Sequence, residues 1–75
     1  MPLSEIRTGM SATVGKIPEG SLKNRLRQFG LTEGMAFTCR MAKKKIVALE
    51  WKGTVVALRR ADLHDVWVEV MACTP

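Results

Sequence analysis

Histidine, cysteine and aromatic residues are scarce in this chain, and each shortage removes a class of function. The sole histidine is His64. Catalysis needs a nucleophile with its base, paired carboxylates in a pocket, or a metal with an open position, and nothing in the sequence assembles any of these. The two cysteines, Cys39 and Cys73, lie far apart and form no CxxC pair. They are too few for a secreted disulfide scaffold and point to a reducing compartment. Neither a GxGxxG run nor a P-loop is present, so there is no phosphate cradle. No apolar run approaches the ~20 residues that span a bilayer. The opening Met1-Pro-Leu-Ser-Glu-Ile-Arg7 lacks the basic start and apolar stretch of a signal peptide. The expectation is a cytosolic protein that binds a larger partner, with no catalytic residues, no resident metal and no cofactor.

What is present is the material of one small domain spanning residues 1–75. A chain this short buries only roughly 60% of the surface its unfolded form exposes, so each core position counts. Apolar residues make up 47% and charged residues 25%, the balance of an ordinary globular protein. The net charge of +5 is unevenly spread: residues 1–34 carry +2, residues 35–60 carry +6, and residues 61–75 carry −3. A basic middle before an acidic tail fits nucleic acid, an anionic membrane surface or an acidic protein face, and also fits a merely solubilising surface.

Along the chain, Leu3 to Ile6 is a short apolar anchor ending in a turn at Gly9. Met10, Ala12 and Val14 alternate as a half-buried strand that closes near Ile17, and Pro18-Glu-Gly20 stops it. Ser21 then reads as the N-cap of the one helix. Leu22, Leu26 and Phe29 recur at i, i+4 and i+7 and line its inner face. Gly30 stands where a left-handed C-terminal cap is wanted, with Leu31 folding back onto the helix. From Met35, alternation returns in Phe37, Cys39 and Met41. Lys43-Lys44-Lys45 reads as a loop, and Val47, Leu49 and Trp51 form the next strand. Gly53 permits a tight turn into Val56 and Leu58. Ala61 to Asp65 suggests one helical turn, and Val66, Val68 and Val70 a last strand. About five short strands with one short helix inserted after the first long strand predict a mostly β fold, a small SH3-like barrel closed on itself, with an OB-type barrel as the alternative.

Two clusters bear on function. Asp62, His64 and Asp65, with Cys73, offer N, O and S ligands, but no second histidine or spaced thiol pair completes a tight site. They read as a capped, solvated turn. Lys43, Lys44, Lys45, Arg59 and Arg60 converge if the 43–45 loop and the end of the 54–60 strand share one rim. Phe29, Phe37 and Trp51 are assigned to the core, which leaves Trp67 pointing outward by parity. One exposed tryptophan beside a basic rim suits a protein partner better than an oligonucleotide, which prefers several stacking aromatics.

The residues Leu3, Ile6, Gly9, Ala12, Val14 and Ile17, followed by Leu22, Arg25, Leu26, Phe29, Gly30, Leu31, Glu33 and Gly34, resemble the FeoA family, ferrous iron transport protein A. Gly53, the run Val56-Ala57-Leu58-Arg59, then Ala61, Val66 and Val68 resemble the family's closing pattern. The resemblance runs from Leu3 to Val70. Its most specific part is the helix end with Gly30-Leu31-x-x-Gly34. It implies an SH3-like barrel with a helical insert. It further implies a non-enzymatic accessory role for the membrane ferrous-iron transporter FeoB, whose cytosolic part binds GTP. The same module is fused to iron- and manganese-responsive repressors. The chain departs from the family at Met41-Ala-Lys-Lys-Lys45, where a Gly/Pro-containing loop is usual.

The leading expectation is therefore an adaptor that docks on the cytosolic part of FeoB and modulates it. Lys43, Lys44, Lys45, Arg59, Arg60 and Trp67 are the binding candidates, with Arg25 and Arg27 on the helix as secondary ones. The alternatives are a small basic RNA- or DNA-binding barrel and a metal-sensing domain.

Overall fold

In the computed structural model, which describes residues 1–73 with side chains through residue 71, five strands form one antiparallel sheet. Strand β1 (Met10–Lys16) is followed by helix α1 (Ser21–Gln28), β2 (Ala36–Ala42), β3 (Ile46–Trp51), β4 (Thr54–Arg59) and β5 (Trp67–Cys73). Short 3-10 turns, Leu3–Glu5 and Arg60–Leu63, precede β1 and β5. The strand order is β4-β3-β2-β1-β5. Most inward residues are those that sequence alternation selects: Ala12 and Val14, Phe37 and Cys39, Val47 and Leu49 are all buried, whereas Val70, placed inward by the same alternation, is 45% exposed. The buried ones share one core cluster with Leu58 of β4 and Val68 of β5, so the sheet curls around a single interior.

The expected closure into a complete barrel does not occur by strand pairing. β4 and β5 remain the two edges of the sheet. The chain turns at Arg60–Leu63 directly after β4, and the free edge at the start of β5 is already occupied. Met1 exchanges hydrogen bonds with Val68, and the Leu3 amide donates to the Val66 carbonyl at 2.7 Å. Pro2 bridges to Trp67. The N-terminal segment thus covers an edge that would otherwise invite pairing with another chain.

Helix α1 begins on Gly20 as its N-cap, not on Ser21, which is the first helical residue and makes no capping bond. Its C-terminus forms a full Schellman turn. The Leu31 amide donates to the Leu26 carbonyl at 2.9 Å and the Gly30 amide to Arg27 at 3.0 Å. Gly30 sits at φ +93, a conformation that side chains with a Cβ resist. Leu26 and Leu31 are both buried and meet across the turn. Phe29, expected in the core, is instead 46% exposed. The helix ends at its position, Leu31 becomes the buried residue, and the Trp51 indole N–H meets the Phe29 carbonyl oxygen at 3.2 Å.

The β3–β4 hairpin turns at Lys52 and Gly53, both at positive φ, as a two-residue turn matched to strand twist requires. Register shifts mark three places. One leaves Arg40 as the extra residue of β2, where its guanidinium pairs with Glu50 at 2.9 Å. The other two lie between β1 and β5, at Ser11/Ala12 and at Val14/Lys16. The latter spans Gly15, where an added Cβ would stand 3.1 Å from the Trp67 carbonyl oxygen and 3.3 Å from its ring. No helix among the described residues is long and apolar enough to cross a membrane.

Candidate protein-docking surface

The Lys43-Lys44-Lys45 turn is fastened at both ends. The Lys43 amide donates to the Ile46 carbonyl at 2.8 Å, closing the hairpin between β2 and β3. Across the gap, the Arg60 amide donates to the Lys45 carbonyl at 2.8 Å. The Arg60 side chain then donates through Nε and Nη2 to the Lys43 carbonyl, and through Nη1 to the Ser4 carbonyl. One guanidinium therefore ties the lysine turn, the exit of β4 and the N-terminal 3-10 turn together. Its planar fork suits this task, because five N–H donors held in one plane reach carbonyls on two sides in a fixed geometry, whereas an ammonium's three donors share one compact point.

This fastening creates a groove of about 550 Å³ lined by Lys44, Lys45, Ile46, Arg59, Arg60, Ala61 and His64. Ile46 is 43% exposed on its wall. Arg59 reaches Asp62 through Nε at 3.1 Å, an exposed pair that contributes little to stability. Ion pairs involving Lys44 or Lys45 are absent among the described residues. The site is a positively charged rim around an apolar floor.

The sequence-selected residues fall in three places. Lys44, Lys45, Arg59 and Arg60 line the groove, whereas Lys43 is exposed on the turn without lining it. Trp67 lies on the outer face of β5, 49% exposed, with its indole N–H donated to Glu69 at 3.1 Å. Arg25 and Arg27 lie in the last turn of α1, where Arg27 edges a smaller groove of about 260 Å³ with Ile17, Lys23 and Glu33. Glu33 itself accepts the Ile17 amide at 2.9 Å, so its carboxylate holds the exit of β1.

Sequence reasoning missed Ile46, Ala61 and His64 as parts of the groove. Ile46 was legible in principle, since it precedes buried Val47 and so faces out by strand parity. The suggested metal ligands do not converge. Among the described residues no group of three His, Cys, Asp or Glu side chains comes together, and Asp62 is engaged by Arg59. Cys73, expected in a frayed tail, pairs through its backbone with Met10, while its side chain lies outside the described residues. Cys39 is a buried free thiol, and burial pushes its pKa up, away from the reactive thiolate form.

The family model of the FeoA domain matches residues 1–70. The chain belongs to the FeoA domain family. FeoA domains are small domains associated with ferrous iron transport, and the SH3-like architecture is theirs. Solved structures agree. The crystal structure of an iron uptake regulatory protein (FeoA) superposes with a TM-score of 0.83 at 23% identity, covering 95% of this chain and 97% of the other. The FeoA protein from Chlorobium tepidum gives a TM-score of 0.84 at 24% identity, covering 96% of this chain and 71% of the other. A FeoA-like protein from Clostridium acetobutylicum gives 0.81 at 22% identity, covering 100% and 91%. At these identities what the chains share is the fold. Among curated proteins no match was found.

Proposed function

We propose that this FeoA domain is a cytosolic, non-enzymatic accessory protein of bacterial ferrous iron uptake, docking on the cytosolic part of a FeoB-type membrane transporter and modulating it. The observation that carries the reading is the groove between the lysine turn and the end of β4. It combines cationic Lys44, Lys45 and Arg59 with an apolar floor, on a surface held rigid by Arg60. Preorganised walls lose little freedom on binding, so more of the contact energy appears as affinity. Trp67 and the Arg25/Arg27 end of α1 are separate secondary surfaces in this proposal.

Nucleic acid fits the geometry less well. Single strands are held by bases stacked on exposed aromatic rings beside cations. No phenylalanine, tyrosine or tryptophan lines the groove, and the exposed Trp67 has the Glu69 carboxylate at its indole nitrogen, which repels phosphate.

The test is capture of a purified transporter cytosolic domain by the immobilised protein, with and without a GTP analogue, at low and physiological salt. Saturable capture that survives physiological salt supports docking, and a nucleotide effect shows that the GTP-binding state is read. Absence of capture under every condition, with retention of a short oligonucleotide instead, overturns the proposal in favour of nucleic-acid binding.

A further inference from the structure

We infer that the groove between the lysine turn and the second 3-10 turn receives a linear acidic peptide segment carrying one apolar anchor residue. The inference rests on the docking reading for the protein that owns the segment, while the chemistry of the groove stands on its own residues.

Lys44, Lys45 and Arg59 ring the groove, His64 borders it, and no carboxylate lines it. Two acids adjoin lining residues in sequence: Asp62 is turned to Arg59 Nε, at 3.1 Å, and both Asp62 and Asp65 line a separate pocket with Pro18 and Leu22. Arg60 also lines the groove, but its guanidinium is committed to the carbonyl oxygens of Lys43 and Ser4 and serves as wall. Lys44 and Lys45 make no ion pair among the described residues and are exposed on long side chains, a pattern that attracts an acidic partner and sets its approach.

The floor supplies the second half of the argument. Ile46 is a large apolar side chain left 43% exposed, and Ala61 continues the apolar surface beside it. A bare phosphate or an all-acidic strand would leave Ile46 in water. A ligand that also brings an aliphatic side chain removes that surface from solvent, a gain of roughly 25 cal/mol for each Å² covered. The groove volume of about 550 Å³ falls in the ordinary range of ligand sites. A second copy of this chain fits poorly as the occupant. Its own acidic cluster sits at Asp62 and Asp65, flanking the buried Leu63, which cannot serve as an anchor without unfolding the turn.

The inference is tested with a short fluorescent peptide of aspartate and glutamate around one central leucine, read by anisotropy against the full chain. Controls replace the leucine with serine or the acids with lysines. Saturable binding is expected, weakened by about tenfold or more in the Lys44→Glu/Lys45→Glu double variant, whose two substitutions turn both attractive cations into repelling carboxylates. Ile46→Ser, at an exposed position that leaves the fold intact, weakens binding severalfold, as does loss of the peptide leucine. Binding that ignores both Ile46→Ser and the leucine overturns the anchored mode, and preference for an oligonucleotide or an anionic vesicle over the peptide overturns the ligand class. Two results separate this inference from the docking proposal. Peptide binding without transporter capture upholds the groove and rejects the transporter as partner. Capture that survives the double variant, with no peptide binding, upholds docking and rejects the groove.

Discussion

Arg60 donates through both Nε and Nη2 to the carbonyl oxygen of Lys43, at 3.0 and 2.7 Å. The contact joins the end of β4 to the turn that leaves β2, two places separated by seventeen residues in sequence. Because the acceptor is backbone, the identity of residue 43 matters little while that of residue 60 matters a great deal. Arg60→Ala is expected to cost about 1–3 kcal/mol, since the Lys43 and Ser4 carbonyls lose their donor and Ser4 is buried. Lys43→Ala should stay within about 0.5 kcal/mol of the parent. Arg60→Lys recovers only part of the loss, because an ammonium lacks the fork. Urea denaturation of the three variants checks this ordering, and equal stability of Arg60→Ala and Lys43→Ala contradicts it.

The helix end offers a purely conformational prediction. Gly30 holds φ +93, and a Cβ there would meet only the Trp51 indole nitrogen at 3.8 Å, an ordinary contact. The cost of Gly30→Ala is therefore backbone strain alone, about 1–2 kcal/mol. Gly30→Asn should cost less, because asparagine tolerates the left-handed region. Thermal melting of both variants reads the difference, and an alanine variant as stable as the parent contradicts the Schellman turn.

Cys39 couples stability to pH. Burial holds its thiol pKa above that of the unfolded chain, which ionises near about 8.5. Below that value both states keep the proton and the contribution is complete. Above it the unfolded chain holds fewer protons than the folded one, so stability falls as pH rises toward the folded pKa. A single such group contributes a slope of at most about 1.4 kcal/mol per pH unit. Comparing Cys39→Val with the parent isolates this share, since other groups titrate alike in both. Identical slopes above about pH 8.5 would mean that the thiol is not held protonated by the fold.

How much of this was legible in the sequence depends on whether a residue's neighbours are local. Alternation placed Ala12, Val14, Cys39, Leu49 and Val68 inside correctly, because strand parity is a local property. The Gly30-Leu31 cap was readable for the same reason. Phe29 was not, since helical spacing cannot say where the helix stops relative to the sheet that receives it. Ser21 satisfied the composition of a cap, yet the chain enters the helix one residue earlier, through Gly20. Closure of the sheet failed as an expectation because Met1 and Leu3 take the edge of β5, a pairing of residues more than sixty positions apart. At the candidate site, the basic residues were visible as a composition. Their division was not: Arg60 turns inward to carbonyl oxygens while Lys44, Lys45 and Arg59 face the groove.

The most direct test of the account is an NMR titration of the isotope-labelled chain with the purified cytosolic domain of a FeoB-type transporter. The account predicts that the backbone amides of residues 44–46, 59–61 and 64 shift first and furthest, and that the shifts fade in the Lys44→Glu/Lys45→Glu variant. Shifts confined to the end of α1 or to the outer face of β5, with the groove silent, would contradict it.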